Sequence, residues 1–279
     1  MASVLAGSAL GIFLWGQGAE PKLYGVLAAA VGLTLLGALD DAYTLSVLSR
    51  LTGQALAAIL MVWTLPDGFQ LFPGLAPPAI ERILLVLGII WFVNAVNFLD
   101  GLDWMTVVQV VPITLGVAAL HVLGAVPATV ALLALVLLGA VLGFAIFNKH
   151  PASIFLGDAG SLPIGLCLAF MLIFVAKSSL SAAVLLSLYT LGDASLTLLR
   201  RLAAGERVLS AHRSHFYQRA VAAGLSVPQV TTRIFLLGLV LAGMAIAAVV
   251  AKSLAADLVL VGLGVLATGL TLSALAKGR

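Results

Sequence analysis

The stretch ILLVLGIIWFVNAVNFLDGLDW, residues 83–104, decides the fold class because an apolar run ends abruptly in polar side chains. A helix needs about 20 apolar residues to cross a hydrocarbon core about 30 Å thick. Ionisable groups are costly in lipid, so their presence there indicates function. The question is which chemistry requires two amides and two carboxylates at one end of a membrane helix, namely Asn94, Asn97, Asp100 and Asp103.

The composition predicts a polytopic membrane protein. Apolar residues make up 62% of the 279, charged residues only 9%, and the mean hydropathy is +1.21. The net charge of +3 comes from few, clustered basic residues, which is typical of membrane topology rather than of nucleic-acid binding. The single cysteine, Cys167, lies in an apolar run and is interpreted as a packing residue. We therefore expect an all-α membrane protein, a single domain over residues 1–279, that binds no nucleic acid.

Hydropathy predicts about ten membrane spans. They cover residues 1–16, 23–39, 51–65, 80–98, 105–122, 126–147, 162–176, 180–199, 230–251 and 254–275. Ten of the 14 lysines and arginines fall on the connections after the even-numbered spans, which predicts that these connections are cytoplasmic. Most of the acidic residues fall on the same side. The polar chemistry is thus predicted to gather at one face of the membrane.

Four polar stretches follow even-numbered spans, and a helical bundle can bring them together. In the first, Asp40 and Asp41 end a helix, where the macrodipole disfavours carboxylates and a compensating cation is expected. In the second, the spacing of Asn94, Asn97, Asp100 and Asp103 would stack them on successive turns of a continuing helix, although Gly101 is a candidate helix end.

The third and fourth stretches add backbone and cationic groups. FNKHPASIFLGDAGS, residues 147–161, predicts a helix entry with Ser161 as N-cap and Pro163 in the first turn, a place that attracts phosphate. AHRSHFYQR, residues 211–219, predicts a helix from about residue 210 to 224 with His212, His215 and Arg219 on one face. Diphosphate or sugar binding is favoured there over a zinc site, which needs more ligands.

Together the four stretches resemble the polyprenyl-phosphate N-acetylhexosaminyl-1-phosphate transferases, the MraY/WecA-like superfamily, over nearly the whole chain and in the same order. The last stretch is most similar to the WbpL-like branch of O-antigen assembly. The resemblance implies transfer of a sugar-1-phosphate from a UDP-N-acetylhexosamine to undecaprenyl phosphate, with release of UMP, at the cytoplasmic face of the bacterial inner membrane. It implies membrane lipids as partners, allows a homodimer, and implies Mg²⁺, with Mn²⁺ as a substitute.

The resemblance also implies residue roles. Asn97 and Asp158 would hold the metal, and Asp158 would be catalytic together with Asp40 and Asp41, which would serve the lipid phosphate or the outer shell of the metal. The nucleotide site and the site for diphosphate and sugar would be shaped by Asn94, Asp100, Asp103, Asn148, His212, Arg213 and His215.

Two departures from the family pattern and one competing function accompany this interpretation. The first span and a basic cytoplasmic loop of the family have no counterpart, so we expect an N-terminally shortened member. Trp104 stands where a glycine is usual, which predicts a narrowed nucleotide pocket. The competing function is an ion- or proton-coupled transporter, since carboxylates in membrane helices also mark ion pathways. Transport sites tend toward the bilayer midplane, whereas these acids are predicted at span ends.

Overall fold

The computed structural model describes residues 21–207 and 212–278, with only the backbone of residues 21 and 22. This part of the chain folds into ten helices in the following order: α1 (Pro21–Tyr43), α2 (Val47–Trp63), α3 (Pro78–Phe98), α4 (Met105–Val122), α5 (Ala128–Phe147), α6 (Asp158–Ser178), α7 (Leu180–Ala203), α8 (Phe216–Ala222), α9 (Val227–Ala251) and α10 (Leu254–Ala276).

The all-α membrane fold predicted from hydropathy is confirmed. Within the described ranges, eight helices are long and apolar enough to cross a membrane, and α2 is a shorter apolar helix of 17 residues. These nine correspond to nine of the predicted spans. The remaining one, residues 1–16, lies outside the described residues. The chain is a multi-pass membrane protein.

The predicted start of the helix after the glycine-rich loop was wrong. It begins at Asp158, with Gly157 at the N-cap, so Ser161 and Pro163 lie inside the helix. The cap comes from a distant part of the chain, because the backbone N–H groups of Asp158 and Ala159 donate to the carboxylate of Asp41, at 3.0 and 3.1 Å. A local N-cap rule cannot anticipate a cap that tertiary packing supplies.

The helix predicted over residues 210–224 was also wrong in its extent. Within the described residues α8 begins only at Phe216, and His215 is its N-cap residue. The reason is again tertiary, because the Asp193 carboxylate on α7 accepts from the N–H groups of Phe216 and Tyr217 and so sets the first turn. His212 and His215 therefore lie in the segment before the helix rather than along its face.

Helix α6 is the central helix of the bundle. Buried residues make up 78% of its apolar window, against 22% for α10. It packs on α1, α3 and α7. Because α6 starts at Asp158, this central position places that carboxylate between the ends of α1 and α3.

Gly37 allows α1 to approach α6 closely. A Cβ atom at Gly37 would lie 2.3 Å from the backbone carbon and oxygen of Asp158. Only a residue without a side chain fits against a backbone at that distance. This contact brings the end of α1, with Asp40 and Asp41, beside the start of α6.

Candidate functional site

Three carboxylates meet where the end of α1 touches the start of α6. Asp41 holds the first amides of α6, and the Asp40 carboxylate lies within hydrogen-bonding distance of Asp158. Asp40 is 8% exposed. Three adjacent carboxylates repel one another electrostatically, so this corner of the bundle attracts a cation.

Arg50 on α2 supplies part of that positive charge. Its Nη1 atom lies 3.1 Å from Oδ2 of Asp40 and 4.0 Å from Oδ2 of Asp158. The other oxygen of Asp40 accepts from the backbone N–H of Leu45 at 2.6 Å. One guanidinium facing three carboxylates leaves a net negative charge.

Asn97, in the last turn of α3, is bonded directly to Asp158. Its Nδ2 atom donates to Oδ1 of Asp158 at 2.7 Å and to Oγ of Ser161 at 2.8 Å. Because the amide nitrogen is held by both partners, the Oδ1 atom of Asn97 points the opposite way and stays available as an acceptor.

One turn earlier, Asn94 pairs with Gln54 across α2 and α3. The Nδ2 atom of Asn94 donates to Oε1 of Gln54 at 2.5 Å, and Nε2 of Gln54 returns a bond at 3.3 Å. Such amide pairs stabilise helix contacts in membranes. Asn94 therefore ties α2 to α3 at the level of the site.

Asp100 follows the end of α3 and is bonded within the protein. It accepts a short hydrogen bond from the Thr106 hydroxyl. Burial raises the pKa of the Asp100 carboxyl to about 7; the Thr106 bond lowers it, and the charge of Asp158 raises it further. Next to it, Gly101 is required, because a Cβ there would lie 2.2 Å from the Tyr217 hydroxyl oxygen, which donates to Phe98 O.

Asp103 and Asn148 hold the connection between α5 and α6. Asp103 bonds Nδ1 of His150 at 2.7 Å and the N–H of Ala152 at 3.1 Å. Asn148 accepts from the Trp104 N–H at 2.7 Å and donates to Ile154 O at 2.8 Å. All these contacts lie within the protein, so both side chains position the loop that leads to Asp158.

Trp104 is not among the residues that line the cleft described below. Its indole N–H donates to Ala145 O on α5 at 2.8 Å, which turns the ring toward that helix. The residue has φ 65°, in the left-handed region that favours glycine. The tryptophan adopts this conformation because α5 holds its ring.

The loop before α8 contributes two stacked histidines. The ring centroids of His212 and His215 lie 4.9 Å apart. His215 is buried, and its Nδ1 atom lies 3.1 Å from Oδ1 of Asp193, which is fully buried in α7. Arg213 is exposed.

A cleft of about 580 Å³ is lined by several of these groups. Its polar end is formed by Arg50, Asn94, Asn97, Asp158, His212 and His215, and its walls include Leu51, Leu87 and Leu198. A second, apolar cleft of about 410 Å³ between α3, α6 and α7 shares Trp91 with it. The first cleft thus has a polar end and apolar walls, and the second is lined mainly by apolar residues.

The structure thus brings together, at or beside the cleft, seven of the predicted site residues: Asp40, Asp41, Asn94, Asn97, Asp158, His212 and His215. Asp100, Asp103, Asn148 and Arg213 are not among the residues that line it. Sequence reasoning missed Arg50, Gln54 and Asp193. A carboxylate within an apolar span was the available signal for Asp193.

The donor set fits a hard divalent cation. Asp158 and the free oxygen of Asn97 offer oxygen ligands beside Asp40, and Mg²⁺ is commonly held by one or two carboxylates and completed by water and substrate phosphates. Among the described residues no group of three or more histidines, cysteines and acids forms a complete metal cage.

The known proteins that are similar to this chain are transferases. The profile of glycosyl transferase family 4 matches residues 23–176. A probable undecaprenyl-phosphate N-acetylglucosaminyl 1-phosphate transferase of Bacillus subtilis is 29% identical over 85% of this chain and 68% of its own length. A phospho-N-acetylmuramoyl-pentapeptide-transferase of Pelotomaculum thermopropionicum is 37% identical over 67% of this chain and 64% of its own.

A decaprenyl-phosphate N-acetylglucosaminephosphotransferase of Mycobacterium leprae is 27% identical over 76% of this chain. The aligned region covers 61% of that relative. The chain therefore spans only about two thirds of the length of these curated relatives.

Proposed function

Because the chain belongs to glycosyl transferase family 4, we propose that it transfers a sugar-1-phosphate from a UDP-N-acetylhexosamine to undecaprenyl phosphate. The observation that carries the proposal is that Asp158 and Asn97 line the polar end of a cleft with apolar walls, with Asp40 bonded to Asp158 beside it. A soluble anionic donor and a lipid acceptor need such a combination of charged head and apolar extension.

In the proposed reaction, a phosphate oxygen of the lipid attacks the sugar-bearing phosphorus of the donor. The bond from that phosphorus to the bridging oxygen breaks, and UMP leaves with that oxygen. The new phosphorus–oxygen bond gives an undecaprenyl-diphosphate sugar. Phosphoryl transfer of this kind depends mainly on positioning and charge neutralisation.

Asp158 and Asn97 are the proposed holders of Mg²⁺ or Mn²⁺. When bound, the metal would neutralise charge on the donor diphosphate. Asn97 would have two roles at this site. Its amide nitrogen orients the Asp158 carboxylate, and its amide oxygen would be a ligand of the metal. The Ser161 hydroxyl, which accepts from the same nitrogen, fixes the amide further.

Asp40 is a better candidate than Asp41 for accepting a proton from the lipid phosphate. Both oxygens of Asp41 are bonded to α6 backbone amides. Both oxygens of Asp40 are also engaged, one by the Leu45 N–H and one by Arg50, but the Arg50 side chain is 36% exposed and can turn toward an incoming phosphate, which frees that oxygen. We assign Asp41 to anchoring α6, and Arg50 to meeting the acceptor phosphate.

The apolar cleft walls are the proposed path of the isoprenoid tail. Leu51, Leu87 and Leu198 line the cleft that holds the polar end, and Trp91 lines both this cleft and the second, apolar cleft between α3, α6 and α7. The polar end would then face the cytoplasm of the inner membrane, where the soluble donor arrives, as the charge bias indicates. The product would start a cell-envelope polysaccharide such as O-antigen.

The test is incubation of the purified full chain with undecaprenyl phosphate and a panel of UDP-N-acetylhexosamines, with UMP release as the readout. We expect turnover with Mg²⁺ or Mn²⁺ and a loss of at least about a hundredfold in Asp158→Asn, consistent with removal of charge stabilisation worth about 3 kcal/mol. Asp67→Asn, at an exposed turn, is the matched control and should retain full turnover.

Two results would count against the proposal. If no donor releases UMP, the proposed transfer reaction is rejected. If turnover is undiminished in excess chelator, the proposed metal requirement is rejected, but the proposed transfer reaction is not.

A further inference from the structure

The two stacked histidines of the cleft, His212 and His215, each form a hydrogen bond through Nδ1. The partner differs: it is Ser214 for His212 and Asp193 for His215. Both line the polar end of the cleft, and their rings stack at an interplanar angle of 29°. In each ring the Nδ1 atom is engaged by the protein, which leaves Nε2 as the atom for a ligand. The proton on each ring is therefore decided by what Nδ1 bonds.

His215 bonds an acceptor. Its Nδ1 atom lies 3.1 Å from Oδ1 of Asp193, and a carboxylate accepts. Nδ1 of His215 must then carry the proton, and in a neutral ring Nε2 is bare. A bare Nε2 accepts a hydrogen bond from a ligand.

His212 bonds donors. The Ser214 backbone N–H donates to its Nδ1 atom at 3.4 Å, and the Ser214 hydroxyl lies 2.9 Å from the same atom. A backbone N–H can only donate, so Nδ1 of His212 is bare and Nε2 carries the proton. This Nε2 donates a hydrogen bond to a ligand.

Two further observations favour neutral rings. Burial lowers the pKa of His212 to about 4, and the neighbouring His215 and Arg201 lower it as well. The Asp193 carboxylate accepts hydrogen bonds from four donors besides His215. They are the N–H groups of Phe216 and Tyr217 and the hydroxyls of Thr197 and Tyr189. The buried His215 therefore need not carry a positive charge to balance it.

We propose that Asp193 and Ser214 hold His215 and His212 in opposite tautomers, so that the pair presents one acceptor and one donor side by side. Such a pair complements a neutral group that both donates and accepts, such as a hydroxyl or the acetamido group of the donor sugar. Two phosphate oxygens would need two donors instead. Asp193 is in this account a positioning residue that acts through His215.

The tautomers can be read directly by nitrogen NMR of the full chain labelled with ¹⁵N-histidine, since the sequence has only four histidines. The other two also bond acceptors through Nδ1, His121 to Val126 O and His150 to Asp103. We expect a protonated Nδ1 in His121, His150 and His215 and a bare Nδ1 in His212 alone. His212→Gln and His215→Gln assign the signals.

Asp193→Asn tests whether the Asp193 carboxylate sets the tautomer of His215. Its amide nitrogen can donate to Nδ1 of His215, so part of the His215 signal should change to the opposite tautomer. Thr197→Val removes another hydrogen bond to the same Asp193 oxygen and should leave the tautomer unchanged. A bare Nδ1 or a doubly protonated ring at His215, or a protonated Nδ1 at His212, in the parent protein would overturn the assignment without any variant.

The ligand part rests on the proposed function and has its own readout, the affinity for UDP and for UDP-N-acetylglucosamine. His215→Ala should weaken binding of the UDP-sugar by about three- to tenfold, the effect of one neutral hydrogen bond, and leave UDP binding unchanged. His215→Gln, which keeps an acceptor, should recover part of the loss. If UDP binding weakens equally, the histidine pair contacts the diphosphate and the sugar assignment is overturned. If neither ligand binds the parent protein, the proposed function is rejected.

Discussion

Replacing Gly37 by alanine would place a methyl group against the backbone at the start of α6. The added Cβ would lie 2.3 Å from the carbon and oxygen of Asp158 and 2.4 Å from the nitrogen of Ala159. Ordinary contacts require about 1 Å more, and these backbone atoms cannot turn aside as a side chain could. We therefore expect α1 and α6 to separate by about 1 Å.

The consequence can be estimated from the contacts beside Gly37. Overpacking of this kind costs about 1–3 kcal/mol. A separation of that size also breaks the two bonds from α6 amides to Asp41, now 3.0 and 3.1 Å long, a helix cap worth about 1 kcal/mol. The better helix propensity of alanine returns about 1 kcal/mol. The net loss is about 1–3 kcal/mol.

Gly139→Ala is the matched control. Gly139 lies in α5, and no described atom lies within 4 Å of the position that a Cβ would take there. The same substitution there should be neutral or stabilise by up to about 1 kcal/mol. The assay is the apparent melting temperature in detergent, at about 2–4 °C for each kcal/mol, with UMP release measured in parallel. A Gly37→Ala protein that melts and turns over like Gly139→Ala would refute the close contact.

Three further predictions follow from other contacts. The lowered pKa of His212 means that the unfolded chain binds more protons between about pH 6.5 and 4, so melting temperature should fall as pH drops through that window, and less so in His212→Gln. Asp41→Asn keeps one acceptor oxygen and so one of the two bonds to α6, and should lose less thermal stability than Asp41→Ala, which should lose about 1–2 kcal/mol in the same melting assay; equal losses would contradict a capping role. Single cysteines at Ser46 and Ser153, in a Cys167→Ser background, should react with an impermeant thiol reagent only from the cytoplasmic side, and labelling from outside intact cells would reverse the proposed orientation.

Much of the fold could be predicted from the sequence because lipid imposes simple rules on a chain. A span must be about 20 apolar residues long, and its backbone must satisfy its own hydrogen bonds, so hydropathy alone located α3, α4 and α5 closely. The macrodipole, which disfavours carboxylates at a helix C-terminus, marked Asp40 and Asp41 as unusual.

The site was predicted less completely because its details depend on distant contacts. Asp103 and Asn148 have the residue types of ligand-binding groups, yet both are engaged by the loop before α6. Arg50 was interpreted only as a topology signal, although it pairs with Asp40. Nothing in the local sequence states which partner a polar side chain will meet.

The sequence by itself determined the membrane class, the number of spans in the described part and the face on which the polar residues gather, since each depends on residue type and spacing along the chain. Only the tertiary structure decided that Asp41 caps α6, that Asp193 starts α8 and orients His215, and that Asn97 turns its nitrogen toward Asp158. The physical reason is that hydrogen bonds extend only about 3 Å, so the role of each polar atom is settled by its neighbours in space.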